Sequence, residues 1–502
     1  MKLNQFKVLS QEEIEKIHSA TLELLRNVGV KIDCKKTRKL LEDYGANVDH
    51  DTNFVKYPES LVIEKLRQVP SSFKLYGPDG NSNIEVNLNS THFLPIGTPV
   101  KIYAPEKNKG VRKSTLEDTI KQMRLVDQSE FLSCSTIDFW PNDIKYTTIH
   151  AQCLYQWVHN CRKPYGFGCF GKMVSQDAMN MTAIIAGGED EIRRHPRMFG
   201  IFNPTSPLHL PKLMTNGLAI FAEYEHPLII APEALGGTSA PVTLAGLITQ
   251  TNAEILSTII LAQIHNPGTP VMYGTVSHTT DMRSGNSAIG GIETGLITAG
   301  MAQLAHYYNI PSRSLGAVTD SKCLDLQNGV ERFQTLLFAA LSGINFITCA
   351  GNYEVTLSGS FELTTIDNEL AGMVLRAIEG IEISDETIGL DVISKVAQSK
   401  EKGVNYLSER HTRNYMKKEL FMPHLFDRDR RATWRKKGSK NIIQSAKEKV
   451  EKILKNFSEY QLDNDIEKDL RNYMKNVEER SYEYYSIAEG LTRRDVSLPD
   501  EV

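Results

Sequence analysis

Six aromatic residues, Phe139, Trp140, Phe167, Phe170, Tyr273 and Tyr353, stand in or just after short apolar runs, and carboxylates stand in similar places at Glu233, Asp320 and Glu354. Aromatic faces with a few acids nearby suit an organic cation, because the ring quadrupole attracts a positive group. His278, Arg283 and Lys322 follow other runs and could hold the anionic end of such a ligand, while Asn352 adds an amide beside Tyr353. The loop LGGTSAPVTLAG (235–246), which contains Gly236 and Gly237, leads into a helical pattern, so its backbone amides are candidates for holding an anion. It matches neither GxxxxGK[ST] nor GxGxxG and implies no nucleotide.

Other chemistries find less support. There is no HExxH, and His209, His226, His265 and His278 are widely spaced. Cys153, Cys161 and Cys169 recur every eight residues, but two fall on a helical pattern and the third on an extended one. The seven cysteines include no CxxC pair, so the expectation is a reduced, cytoplasmic protein with no metal of its own. No GxSxG nucleophile elbow is present.

These residues need a scaffold, and the middle of the chain supplies its pattern. Eight short apolar runs, at 92–97, 131–137, 165–169, 198–202, 228–231, 271–274, 313–317 and 344–350, alternate with longer helical patterns. Among the helical patterns are 115–130, 242–266, 288–309 and 326–343, with Pro241 suited to the first turn of the second. Runs alternating with helices imply parallel βαβ units, and eight of them imply an α/β chain with a (β/α)8 TIM barrel. An open doubly wound sheet is the alternative. In a barrel the active-site residues follow the C-terminal ends of the strands, which is where the residues named above fall.

The expected organisation is an N-terminal helical and extended region (1–90), the barrel (91–384) and a helical C-terminal region (385–502). In the first region, residues 10–29 read as a helix with a capping box at Ser10 and Glu13. The segment 428–440 carries seven basic residues and one acid, which reads as a solvated linker or an anionic-partner site, and 444–457 reads as an exposed helix. The chain has 502 residues and a formal net charge of -4, with 57 Lys plus Arg against 61 Asp plus Glu. That balance argues against a nucleic-acid partner. No stretch reads as a transmembrane helix or a signal peptide, so no membrane association is expected.

Several segments together resemble the trimethylamine methyltransferase superfamily: SAPVTLAGLITQTNAEIL (239–256), GTPVMYGTVSHTTDMRSG (268–285), VTDSKCLDLQNGVERF (318–333) and TCAGNYEVTLSGSFELTTIDNEL (348–370). GGEDEIRRHP (187–196), SPL (206–208), GVNYLSERHT (403–412) and HLFDRDRRATWRKKG (424–438) extend the similarity over about residues 10–460. The resemblance implies a (β/α)8 fold and transfer of a methyl group from an amine to the cobalt of a corrinoid (cobalamin) carried by a cognate partner protein. The founding branch carries pyrrolysine; this chain has only standard residues and is similar to the non-pyrrolysine branch, whose characterised members demethylate quaternary amines such as glycine betaine. The position equivalent to pyrrolysine is expected near the seventh or eighth run. A DxHxxG cobalt-ligand motif is absent, so the corrinoid would come from the partner.

A quaternary nitrogen already makes its leaving group a neutral tertiary amine, so the displacement needs positioning and desolvation more than an acid or base. A carboxylate bound tightly to the ammonium would favour the ground state, where the positive charge is largest. On this chemistry Phe139, Trp140, Phe170 and Tyr353, with Glu233 nearby, are expected to form the cation pocket. His278, Arg283, Lys322 or the amides of 236–240 are expected to take a carboxylate. Asn352 and Glu354 would orient substrate or touch the corrin ring, and Gly236, Gly237, Asp320 and Lys322 would face the corrinoid. A homo-oligomer is expected. The alternatives are a corrinoid-independent barrel lyase or hydrolase that uses Asp320, Lys322 or Glu354, and a non-catalytic protein that binds a corrinoid protein.

Overall fold

Short runs of Val, Ile, Leu and Phe that are buried on both faces can only be parallel strands covered by helices. The computed structural model, which describes residues 6–107, 110–401 and 403–491, arranges them that way. The ends of the first and last segments expected from the sequence, 1–5 and 492–502, lie outside the described residues. The seven strands of the main sheet are β1 His92–Phe93, β2 Tyr165–Gly168, β3 Met198–Phe202, β4 Leu228–Ile230, β5 Val271–Gly274, β6 Ser312–Leu315 and β7 Phe346–Thr348. Their order is β1-β7-β6-β5-β4-β3-β2, all parallel.

The sheet closes on itself. Leu132 bridges Phe93 of β1, and Ser135 bridges Tyr165 of β2. The Ser133 N–H reaches Phe93 O at 2.8 Å, and the Ser135 N–H reaches Pro164 O at 3.0 Å. Segment 132–135 therefore fills the eighth place, between β1 and β2 in both sequence and space.

A long helix follows each strand and this segment: α1 Leu116–Asp127, α2 Ile149–Asn160, α3 Lys172–Ala186, α4 Lys212–Glu223, α5 Leu244–His265, α6 Ile292–Tyr307, α7 Leu326–Leu341 and α8 Phe361–Glu379. Thr115 and Asp118 form a capping box on α1, Asp325 caps α7, and Ser360 caps α8. Pro241 lies in the turn before α5, which starts after Thr243. The 22 residues of α5 are long and apolar enough to cross a membrane by composition. Here α5 is sandwiched in the protein: Asn252 donates to Thr21 of the N-terminal helix Gln11–Asn27 and accepts from Tyr273 of β5.

Two further parts fix the barrel. The hairpin Ser72–Tyr76 with Asn83–Asn87 sends Leu75 and Val86 into the lumen core with Phe199, Met272 and Phe346, plugging the N-terminal end. At the opposite end, Arg332 of α7 and Asp367 of α8 form a buried ion pair at 2.6 Å. Arg332 also donates to Ala317 O at 2.7 Å, to Asn328 Oδ1 at 3.0 Å and to Asn352 O. Asp367 accepts the Gly351 N–H at 2.6 Å. Burial pushes the Asp367 carboxyl up to about 6 despite the guanidinium beside it. The pair thus pins the loops after β6 and β7.

Removing one partner strands the other in the interior. Asp367→Ala is expected to lower stability by about 3–5 kcal/mol, read from the urea midpoint at constant m-value. Replacing both residues with apolar ones of similar volume should recover much of it. A loss below about 1 kcal/mol would mean the pair does not hold these loops.

Candidate active site

Strand alternation decides which side chains enter the lumen. Ser314 of β6 turns outward, its hydroxyl 2.8 Å from that of Thr298 on α6. Arg313 and Leu315 therefore point inward. Tyr273 of β5 turns outward to Asn252, which leaves Met272 and Gly274 inward. Gly274 is the register partner of Arg313 and contributes no side chain there. Inward-facing Ala231, beyond β4, is also small.

Arg313 is 4% exposed. One guanidinium nitrogen donates to Thr275 O at 3.1 Å, while Nε is buried with no partner. Burial lowers its pKa, and the Glu233 carboxylate acts on it in the opposite direction, while burial keeps the Cys349 thiol protonated. Among the described residues no carboxylate lies within ion-pair distance of it. Glu233 stands exposed at the rim. Sequence reasoning passed over Arg313, although a charged residue inside an apolar strand run is itself a signal.

His278, Asp320 and Glu233 complete one sector of the rim. Strand His278–Thr280 lies beside Leu235–Gly236 and pairs back with Ser287–Ala288. His278 has Val276 O at 2.8 Å from Nδ1 and Ser287 Oγ at 2.5 Å from Nε2. Both ring nitrogens are engaged, and burial lowers its pKa, so the ring is neutral near pH 7. Asp320 accepts the N–H groups of Ile289 at 3.0 Å and Gly290 at 3.1 Å, which ties this hairpin to the loop after β6. Burial raises the Asp320 carboxyl, with Glu331 adding to the effect.

The aromatic sector lies across the β1–β2 side. Trp140 packs edge-on to Phe170 at 6.2 Å and lies 6.0 Å from Tyr146, while Phe170 lies 5.9 Å from Phe167. The Phe170 ring fills the place a Cβ would take at inward-facing Gly168. Phe170 is 37% exposed, so one ring lines the mouth and remains open to a ligand. The C-terminal helix Tyr482–Glu489 braces this side: Tyr485 donates to Thr147 O, and Glu489 accepts from Met173 N–H at the start of α3 and from Asn216.

Other expected site residues lie elsewhere. Phe139 is buried against Phe361 and Gly359 in the wall, and Tyr353 is buried beside Tyr103. Asn352 donates to Ile96 O at 3.2 Å and packs over Gly97, so it seals the junction between the loops after β1 and β7. Glu354 accepts from Ser358 at 2.6 Å. Arg283 pairs with Asp281 in an exposed loop, its side chain 91% exposed. Lys322 is exposed and donates to Asp320 O. The amides expected to hold an anion are consumed by their own turn: Gly237 N–H donates to Ala240 O, and the N–H groups of Thr238, Ser239 and Ala240 all reach Leu235 O. Gly236 belongs to the small sheet, and Gly237 takes φ +98° at the turn.

Backbone strain marks the same rim. Thr98, Ala317, Cys349 and the consecutive residues Glu354, Val355 and Thr356 all have φ between +46° and +81°. Each such residue costs of order 1–3 kcal/mol and persists only where surrounding structure over-determines it. Arg332 and Asp367 supply that structure around Ala317 and Gly351.

His278 gives a pH dependence with a definite sign. Its folded pKa lies below 6.5, so the unfolded state binds more protons as pH falls through the range beneath that value. The hairpin's local stability is present above pH 6.5 and is lost on acidification. Hydrogen exchange of residues 278–288 is expected to speed up between pH 7.5 and pH 5 beyond the intrinsic change, and His278→Gln should abolish the excess. Equal pH dependence in both proteins would contradict this role.

Comparison with known proteins matches this architecture to one family. The family model for trimethylamine methyltransferase (MTTB) matches residues 1–481. The glycine betaine methyltransferase of Desulfitobacterium hafniense (strain Y51) is 33% identical over 476 residues, which covers 94% of this chain and 97% of that protein. A trimethylamine methyltransferase of Methanosarcina barkeri (strain Fusaro) is 34% identical over 477 residues, covering 93% of this chain and 94% of that protein. The crystal structure of the Methanosarcina barkeri monomethylamine methyltransferase superposes with a TM-score of 0.53 at 13% identity, over 90% of each chain, and so shares the fold. With fold and sequence in agreement over nearly its whole length, the chain belongs to the trimethylamine methyltransferase (MTTB) family of methyltransferases.

Proposed function

We propose that this protein moves a methyl group from a quaternary amine of the betaine class, with glycine betaine the first candidate, to Co(I) of a corrinoid carried by a separate protein. The corrinoid is the methyl acceptor and is delivered as a substrate. The observation that carries this reading is the composition of the open mouth: exposed Glu233 on one side, Phe170, Trp140 and Tyr146 on the other. That is a set of groups for holding an organic cation. His278 is locked neutral between Val276 and Ser287, and Asp320 is spent on two backbone amides, so neither is poised as the acid or base that a lyase or hydrolase would use.

The chemistry asks little more. The methyl carbon is attacked in line, opposite nitrogen, by the cobalt electron pair. The C–N bond breaks, and its electrons stay on nitrogen as a neutral tertiary amine. No proton moves in this step. Positive charge fades from the nitrogen along the way, so a loose aromatic surround serves better than a tight ion pair. A site that fixes the ammonium within reach and excludes water supplies the positioning advantage. The family includes proteins named for glycine betaine and for trimethylamine, and the standard residues of this chain favour the quaternary substrate.

Free cob(I)alamin mixed with the protein and glycine betaine under reducing conditions is expected to convert to the methylcob(III)alamin spectrum, with dimethylglycine formed in equal amount. No conversion with any quaternary amine, or with a cognate corrinoid protein in place of free cob(I)alamin, while the cobalt stays reduced would overturn the proposal. Binding of that corrinoid protein without turnover would instead identify a non-catalytic carrier.

A further inference from the structure

We infer that Arg313 is the anion site of the barrel, that the substrate carries a carboxylate bound there, and that organic cations lacking an anionic group are rejected. The inference rests on the proposed methyl transfer for the identity of the substrate. The site itself stands on geometry.

A guanidinium remains charged under all ordinary conditions. Arg313 sits in the lumen with one carbonyl partner, Thr275 O, and an Nε that donates to nothing. Arg332, close by on the same end of the barrel, shows what a satisfied buried arginine looks like here: its nitrogens meet Asp367, Asn328 and the carbonyls of Ala317 and Asn352. Arg38, on the N-terminal helix Lys35–Asp43 outside the main sheet, also has an unpartnered Nε and donates to Ile32 O and Asp33 O. Arg197 has unpartnered nitrogens too, but it is paired with Glu191 and lies beside Tyr76, near the plugged N-terminal end. Arg313 is the buried arginine that opens toward the mouth. Its register neighbour Gly274 and nearby Ala231 pack closely against each other and place no long side chain beside it. A carboxylate fits a guanidinium edge in two parallel hydrogen bonds, which would supply the missing acceptor for Nε.

The competing anion sites are already used. The 237–240 amides close their own turn, Arg283 is paired with Asp281 outside, Lys322 is exposed, and His278 is neutral. Glu233 lies outward of Arg313 and acts on it electrostatically. A zwitterion therefore has a direction here: carboxylate inward on Arg313, ammonium outward toward Glu233 and the aromatic sector, with its methyl groups presented to the mouth. Trimethylammonium or tetramethylammonium in the same place would meet an uncompensated positive charge. At roughly 6 Å and an effective dielectric near 20, that repulsion weakens binding about 100-fold.

Titration calorimetry without any corrinoid tests this. Three probes are used: glycine betaine, its uncharged-carbon isostere 3,3-dimethylbutanoate, and tetramethylammonium. The wild type is expected to bind the first two and to bind tetramethylammonium about 100-fold more weakly than glycine betaine. Arg313→Met is expected to lose about 100-fold for both carboxylates and to gain affinity for tetramethylammonium. Arg313→Lys keeps the charge, should fold even if Arg313→Met does not, and is expected to retain carboxylate binding at a reduced level while still rejecting tetramethylammonium. Unchanged carboxylate binding in either soluble Arg313→Met or Arg313→Gln, or wild-type preference for tetramethylammonium, would overturn the inference. Arg313-dependent carboxylate binding combined with failure to methylate any corrinoid would retain the anion site and overturn the methyl-transfer reading alone.

Discussion

Taking a guanidinium out of water is expensive unless its donors and its charge are met. The C-terminal half of this barrel buries two. Every nitrogen of Arg332 is met by protein: Asp367 supplies the charge, Asn328 accepts from Nε, and the carbonyls of Ala317 and Asn352, in the loops after β6 and β7, accept from the other two. This arrangement holds Ala317 and Gly351 in the left-handed region and so shapes the rim. Arg313 is met in part, and what it lacks is an anion. One arginine builds the mouth and the other gives the mouth a polarity.

That polarity organises the rest of the site. A permanent positive charge lies inside, the carboxylate of Glu233 lies outside, and Phe170, Trp140 and Tyr146, with Phe170 backed by buried Phe167, stand on the far side. His278 and Asp320 act through the backbone, the first by locking the hairpin at Ser287 and the second by gripping Ile289 and Gly290. They keep the wall in place. Chemistry whose leaving group is preformed on the substrate makes this division reasonable, because what the protein must supply is orientation and dryness.

The architecture was readable in the sequence because it rests on periodicity. The runs 198–202 and 271–274 are the strands β3 and β5 residue for residue, and the capping box at Ser10 and Glu13 is formed. Run 131–137 pairs through isolated bridges, yet it closes the barrel where the pattern placed a strand. The family motifs at 239–256 and 318–333 fall on the α5 and α7 units. The site was less readable, because position after a strand says nothing about where a loop turns. Phe139 and Tyr353 follow strands yet fold back into the wall, and Gly236 and Gly237 enter a turn that uses up its own amides. Arg313 was hidden for the opposite reason: it lies within a strand, where attention to loop residues does not reach, and only alternation against outward-facing Ser314 places it in the lumen.

The most direct measurement is a crystal structure of the protein with glycine betaine. The expected density has the carboxylate within hydrogen-bond distance of the Arg313 Nε edge and the trimethylammonium group outward, between Glu233 and the Phe170 ring. Density with the ammonium innermost, or with the carboxylate on Arg283, Lys322 or the 236–240 loop, would contradict the polarity on which this site depends.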